Sequence, residues 1–371
     1  MKRIDEQRER LIRALFPAGV PRLWCPLLTH YKKDGAIDFD RISAQFRHIV
    51  PFVKGFLIPG STGDGWELDD GETRQVAAFA LRLAGEEGVS LLLGALKRDA
   101  ESMKKAITDM LGLLDPTAAI GADDGIRTLR KRHVCGFTVC PPEGKTLSQK
   151  DIEAGLAGIL DMGLPTALYQ LPQVTGNAVS PAAFGRLAGR YSNLILFKDS
   201  SGRDGIAASD TDKGGVFLVR GAEGDYARWL HESGGPYAGF LLSTANCFPR
   251  ELKILIEDLE RGEWEKARIL SERLTAAIQD VFSLANPLPC GNAFTNANKS
   301  IDHFQAFGPS ANIKAGPLLH GGMTLPAEIL AATGAILTRC GLMPERGYME
   351  PAVAASASRG QTGRFNPSST R

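Results

Sequence analysis

No segment of this chain approaches the run of about 20 apolar residues that a membrane helix needs, so no membrane span is expected. Net charge is also missing: 43 basic side chains face 42 acidic ones over 371 residues, a balance of +1. That removes any general electrostatic pull toward nucleic acid or acidic lipid. The six cysteines, at 25, 135, 140, 247, 290 and 340, include no Cys-x-x-Cys pair. Their scatter does not resemble a disulfide framework, and a reduced cytoplasmic setting is expected. The six histidines show no His-x-x-His or His-Glu-x-x-His spacing, so no metal site is expected. No glycine-rich phosphate or dinucleotide motif opens a helix, which speaks against a nucleotide cofactor. Met1 to Arg10 is charged and lacks an apolar centre, unlike a secretory signal.

What is present is alternation. Hydrophobic residues make up 43% of the chain, enough for a large core. Short apolar runs read as strands at 23–29, 55–59, 90–96, 136–140, 166–171, 194–199, 216–221 and 237–242. Helical patterns follow at about 39–50, from about 70 onward, and at about 100–113, 149–162, 181–189, 225–232 and 250–261. Strand–helix alternation of this kind predicts a parallel α/β fold, and eight strands are the number that close a (β/α)₈ TIM barrel. A doubly wound open sheet is the competing architecture.

The expected organisation is an N-terminal helical extension over 1–19, the barrel over 20–262, appended C-terminal helices over 263–345 and a disordered tail over 346–371. Within the C-terminal region, 264–284 and 326–340 read as helices, and 286–324 as a Gly-, Asn- and Pro-containing connection. The third and fourth strands are unusually far apart. The surplus, 115–125, reads as a longer connection with a short extra helix, most simply a tolerated surface insertion.

Chemistry in such barrels sits at the carboxyl ends of the strands. The sixth strand ends in Leu194-Ile195-Leu196-Phe197-Lys198-Asp199, followed by Ser200-Ser201-Gly202. Period-two geometry puts Leu194, Leu196 and Lys198 on one face and Asp199 on the other. A lysine buried there loses proton affinity and becomes a nucleophile that condenses with ketones. The alternative is a lysine that snorkels from a strand end. Tyr169 on the fifth strand shares a face with Ala167 and Leu171, and beside Lys198 it suits an acid/base role; alone it would read as a satisfied core tyrosine. After the second strand, Gly60-Ser61-Thr62-Gly63-Asp64-Gly65 offers two hydroxyls and free backbone N–H groups suited to a carboxylate, or simply a tight glycine turn. Asp69, Asp70 and Glu72 read as negative charge in a first helical turn.

Taken in order, Gly60-Ser61-Thr62-Gly63-Asp64, Tyr169-Gln170-Leu171-Pro172 and Lys198-Asp199-Ser200-Ser201-Gly202 resemble the motifs of the dihydrodipicolinate synthase/N-acetylneuraminate lyase family. Asn246-Cys247-Phe248-Pro249 and Asn286-Pro287-Leu288-Pro289 add to the likeness, which spans about residues 20–345. The resemblance implies a TIM barrel with appended helices, usually a homotetramer and at least a homo-oligomer, working without metal or cofactor. It implies that Lys198 forms a Schiff base with pyruvate or another 2-oxo acid. Tyr169 would shuttle protons, and Ser61 and Thr62 would hold the carboxylate and relay protons, so these four are the implied catalytic residues. Gly60, Leu171, Gly221 and Leu242 are the further substrate contacts it implies.

Two departures bear on substrate. Family synthases carry Pro-Tyr-Tyr after the fourth strand, where this chain has Pro141-Pro142-Glu143. They also carry an arginine two residues after the Tyr-Asn-x-Pro proline, where this chain has Val174, so a charge-assisted carboxylate contact is lost. Glu143 is either a substitute proton carrier or a solvated loop residue. The expected activity is a Schiff-base lyase joining or cleaving pyruvate and an aldehyde, with a sugar acid as the favoured source. Dehydration of a 2-oxo-3-deoxy sugar acid, or dihydrodipicolinate synthesis, through the same imine is the alternative. A non-catalytic 2-oxo-acid sensor is the alternative of another class.

Overall fold

A computed structural model describes residues 2–114 and 122–350. Its centre is a closed, all-parallel eight-stranded barrel in sequential order. The strands are β1 (Leu23–Cys25), β2 (Gly55–Ile58), β3 (Ser90–Gly94), β4 (Val134–Val139), β5 (Thr166–Gln170), β6 (Leu194–Asp199), β7 (Phe217–Arg220) and β8 (Gly239–Leu241). Closure is made by β1 against β8, with Leu23 opposite Phe240 and Trp24 opposite Leu241. The helices are α1 (Lys2–Leu15), α2 (Phe39–Ile49), α3 (Asp70–Glu87), α4 (Ala100–Leu114), α5 (Ala122–Lys131), α6 (Gln149–Leu160), the single turn α7 (Pro172–Thr175), α8 (Pro181–Arg190), α9 (Pro249–Glu260), α10 (Trp264–Ala285), α11 (Ala293–Phe307) and α12 (Ala327–Arg339). None among the described residues is long and apolar enough to cross a membrane.

Alternation along each strand divides the core in two. Trp24, Leu57, Leu92, Cys135, Ala167, Leu196, Val219 and Leu241, one from each strand, meet inside the barrel. Their neighbours in sequence point outward and pack under the helices. The layers obey the period-two rule except at β4, where Leu91 lies opposite Val134 but Leu92 opposite Gly136, and at β6. At β6 the register against β5 slips, with Thr166 opposite Leu194 but Ala167 opposite Leu196. The extra residue sends Leu194 to the outer core and Ile195 inward, so Leu194 does not share the face of Leu196 and Lys198 as expected.

Helix α1 closes the amino-terminal end of the barrel. Leu15 and Phe16 join the interior layer, and Phe16 meets Trp24 edge to face. Arg8 is wholly buried, and its guanidinium donates to the carbonyls of Leu194 (2.7 Å), Tyr191 (2.8 Å), Ala188 and Gly214. The N-terminal extension therefore ties down the start of β6, the strand that carries Lys198. At α3, Asp69 and Glu72 form a reciprocal capping box, the first-turn role expected for these acids.

The structure departs from expectation in several places. No helix fills 225–232. Left-handed Asp225 (φ 51) and Gly234 (φ 75) break the path into two short 3₁₀ turns, Tyr226–Arg228 and His231–Ser233. No helix joins β6 to β7 either. Conversely, 286–324 holds α11, buried along most of its length. Its polar residues, Thr295, Asn296, Asn298, Lys299, Ser300 and Asp302, read as loop but are buried rather than solvated. Of the surplus between β3 and β4, 115–121 lies outside the described residues, and α5 runs from 122 well past 125. Of the tail, 351–371 lies outside the described residues. Residues 346–350 are held, with Tyr348 donating to Asp302 at 2.7 Å and its backbone N–H to Gln305 at 3.0 Å.

Arg8→Met should lower stability by about 2–4 kcal/mol, because it strands buried carbonyls that have no other charged donor. Denaturant midpoints of the two proteins check this.

Candidate active site

The turn after β2 is built before it is functional. Gly60 starts a 3₁₀ turn over Ser61–Gly63, and its carbonyl accepts from the N–H of Gly63 (3.0 Å) and Gly65 (2.9 Å). A side chain at Gly60 would come within 2.8 Å of Pro26 Cβ. Gly60 thus shapes the turn from beneath and does not line the cavity, contrary to the contact expected of it. From the far side α11 holds the same turn. Thr295 Oγ1 donates to the carbonyl of Thr62 at 3.0 Å, and Asn292 Nδ2 to that of Ser61 at 3.1 Å. Asp64, which ends the turn in the left-handed region, pairs with Lys299 at 3.0 Å, both side chains being wholly buried. Tyr31 donates to the same carboxylate oxygen at 2.9 Å. With its backbone carbonyls and one oxygen of its carboxylate claimed by protein, the turn can aim Ser61 and Thr62 at the barrel mouth.

That mouth is a cavity of about 560 Å³. Ser61, Thr62, Tyr169, Leu171, Lys198 and Gly221 all line it. Leu242 does not. Leu241 takes the inward position at the end of β8, so alternation turns Leu242 into the outer core. Lys198 lies directly opposite Tyr169 in the β5–β6 register, and its Nζ stands 3.9 Å from the centre of the tyrosine ring. Gly221 is needed for space: a Cβ there would meet Ser200 Oγ at 2.2 Å and Lys198 Cε at 2.6 Å.

Burial decides the electrostatics. Desolvation lowers the Lys198 pKa from 10.5 to about 7, against weaker pulls from Cys140, Glu223 and Cys25. Desolvation likewise raises the Tyr169 phenol above its usual range, while the hydroxyls of Ser61 and Ser200 favour its ionised form. Cys140, next to both, is pushed up by burial and stays a neutral thiol. The folded chain sheds the Lys198 proton near pH 7 and the unfolded chain near 10.5. The stability penalty of burying this amine is therefore present in full below pH 7 and disappears as pH rises toward 10.5.

Sequence reasoning missed the polar wall. Glu223, two residues past the Gly221 turn, accepts from Ser243 Oγ (2.6 Å), the Thr244 N–H (3.1 Å), the Tyr226 hydroxyl (2.9 Å) and the Thr244 hydroxyl. Arg220 fixes the loop that carries it, donating to the carbonyls of Ala222 (2.7 Å) and Gly224 (3.1 Å) while paired with buried Asp204. Ser200 and Gln173 complete this side, and Phe282 and Phe294 from α10 and α11 cover it. Glu223 and Ser243 were within reach of the strand-end rule, since both follow barrel strands. The α10 and α11 residues carried no such signal. Glu143 pairs with exposed Arg98 and does not line the cavity. Val174 packs beside Tyr169 and Leu171, and Lys198 is the sole cation among the described lining residues.

A parallel barrel with a buried, weakly basic lysine at its carboxyl-terminal mouth suits Schiff-base chemistry. Comparison with known proteins agrees. The pattern of the dihydrodipicolinate synthetase family matches residues 133–298. The 4-hydroxy-tetrahydrodipicolinate synthase of Methanospirillum hungatei is 23% identical over 282 residues, covering 75% of this chain and 88% of that protein. That of Exiguobacterium sp. is 24% identical over 315 residues, covering 82% and 94%. Among solved structures, YagE, a prophage protein of the dihydrodipicolinic acid synthase family from E. coli K12 in complex with pyruvate, superposes with a TM-score of 0.69 at 20% identity, covering 87% of this chain and 99% of that one. Dihydrodipicolinate synthase from Thermotoga maritima gives 0.66 at 18% identity, covering 87% and 99%. A little under half of the chain, residues 133–298, thus matches the dihydrodipicolinate synthetase family, and the solved structures share its barrel fold.

Lys299→Met should destabilise the chain by about 3–5 kcal/mol, because it leaves the buried Asp64 carboxylate unpaired. Adding Asp64→Asn should recover part of that loss; additive losses in a double-mutant unfolding cycle would refute the pairing.

Proposed function

We propose that this chain is a Schiff-base lyase that joins or cleaves the carbon–carbon bond between pyruvate, or a related 2-oxo acid, and a hydroxyl-bearing aldehyde of sugar-acid origin. The observation that carries this reading is the buried Lys198 amine, substantially neutral at pH 7, set against Tyr169 and beside the Ser61-Thr62 hydroxyls. The neutral amine attacks the ketone carbon, a carbinolamine forms, and loss of water leaves the protonated imine. The imine draws electrons from C3 as its proton departs, and the resulting enamine adds to the aldehyde carbon. Cleavage runs through the same steps in reverse. Tyr169 is the group placed to move protons, and the turn hydroxyls suit the 2-oxo acid carboxylate. This chemistry calls for no metal or cofactor.

The polar wall supports the hydroxylated partner. The Ser243 proton is committed to Glu223, so Ser243 offers its lone pairs to the cavity and accepts from a hydroxyl. The names of the relatives favour the synthase reaction instead. Against it stand Val174 in place of the arginine and Glu143 turned away from the cavity, which leave a second carboxylate with no guanidinium. Dehydration of a 2-oxo-3-deoxy sugar acid shares the imine, and product analysis separates it from cleavage. The homo-oligomer, dimer or tetramer, stays part of the proposal and is tested by sedimentation.

Borohydride reduction in the presence of pyruvate should add one pyruvate-derived group to Lys198, read by peptide mass spectrometry, and Lys198→Ala should abolish it. Pyruvate binding without any adduct would favour the sensor reading over both enzymes. The initial rate of adduct formation should rise with pH through a midpoint near 7, because the deprotonated amine is the nucleophile. A midpoint near 10 would mean that the lysine is solvated, and the proposed site would be wrong.

A further inference from the structure

Ser61 has a second partner that the turn motif does not include. The indole Nε1–H of Trp66 donates to Ser61 Oγ at 2.8 Å. An indole nitrogen is a donor only, so Ser61 cannot turn its own proton toward Trp66. The proton must go elsewhere, to the Tyr169 hydroxyl beside it or to whatever fills the cavity. The indole is not free to leave. Its ring packs with Leu96, Cys140, Tyr169, Leu171 and Val174 in the small apolar cluster above the barrel layer. Its backbone sits in a closed turn, with the N–H of Glu67 and Leu68 both bonded to the Asp64 carbonyl at 2.9 Å.

We infer that Trp66 is a positioning residue that fixes the polarity of Ser61, making that serine an obligate donor into the cavity and toward the carboxylate of a bound 2-oxo acid. A serine without such a partner rotates among several orientations and presents its proton to an anion only part of the time. The Trp66 N–H removes the orientations that point away. The arrangement mirrors the opposite wall, where Glu223 takes the Ser243 proton and leaves that serine an acceptor. The two serines at the ends of β2 and β8 thereby give the cavity a donor side for the 2-oxo acid and an acceptor side for hydroxyls. This rests on reading the cavity as a 2-oxo-acid site.

The test is calorimetric binding of pyruvate to Lys198→Ala protein, which cannot form an imine. Four forms are compared: this parent, and the parent with Trp66→Phe, with Ser61→Ala, and with both. Trp66→Phe should weaken pyruvate binding about 2–10-fold, the factor expected for loss of one neutral hydrogen bond that orients the serine. It should add nothing once Ser61 is alanine. Methyl pyruvate, whose uncharged ester carbonyl is a weaker acceptor, should lose clearly less affinity than pyruvate across the four forms, a contrast that general loosening of the fold would not produce. Trp66→His, which keeps a ring N–H, should recover part of the affinity, and Trp66→Tyr replaces Trp66→Phe if the latter does not fold. Unchanged pyruvate affinity in folded Trp66→Phe, the same loss without Ser61, or an equal loss for methyl pyruvate would overturn the inference. If the coupled loss appears while the intact chain forms no borohydride-trapped adduct, the lyase reading falls and the role of Trp66 stands. If none of the forms binds pyruvate, the role falls with the 2-oxo-acid site.

Discussion

Withdrawal of the Lys198 amine from water is the constraint on which the site depends. Desolvation is the largest influence on its protonation, ahead of the opposing influence of Glu223 and two buried thiols. Keeping water away takes the whole upper part of the barrel. Tyr169 lays its ring 3.9 Å from the amine, Gly221 lets β7 approach without a side chain, and the aromatic rings of α10 and α11 close the outside. The same burial that lowers the proton affinity of the amine weakens the fold at neutral pH, an instance of a site stabilised by its surroundings rather than by its own groups.

The helices beyond the barrel are part of that enclosure. Helix α11 supplies Thr295 and Asn292 to the carbonyls of the β2 turn and Lys299 to Asp64. A buried ion pair of this kind adds little net stability, yet loss of either partner is expensive, so it specifies one arrangement of turn and helix. At the other end of the barrel, Arg8 of α1 does a similar task for β6 by holding carbonyls near the start of that strand. The reactive lysine is thus fixed from below by the N-terminal helix and approached from above by a turn that the C-terminal helices hold.

The barrel was legible because its signals are local. Each strand is a short apolar run, and each of the Lys198, Tyr169 and Ser61-Thr62 segments stands at a strand end where alternation alone predicts the inward side chain. Leu194 shows the limit of that rule: a one-residue slip between β5 and β6 moved it outward, and no residue in the segment marks a bulge. The missing helix at 225–232 has a similar cause, because an aspartate in the left-handed region is not visible in its one-letter identity. Helix α11 failed the opposite way. Its Asn296, Asn298, Lys299 and Asp302 look solvated in sequence and are almost entirely buried.

By itself the sequence determined the number and order of the strands, the lysine at the end of the sixth, and the tyrosine and hydroxyl turn that join it, since all follow from period and from chemistry carried within a few residues. It also determined what the cavity lacks, through Val174 and the absence of a tyrosine near Glu143. Tertiary structure alone decided that Lys198 is dry, that Glu223 and Ser243 face it across the mouth, that Leu242 turns away, and that Trp66 holds Ser61. Burial and hydrogen-bond polarity depend on groups as much as 230 or so residues apart in the chain, as Thr295 and Ser61 are, and no local pattern records such a meeting.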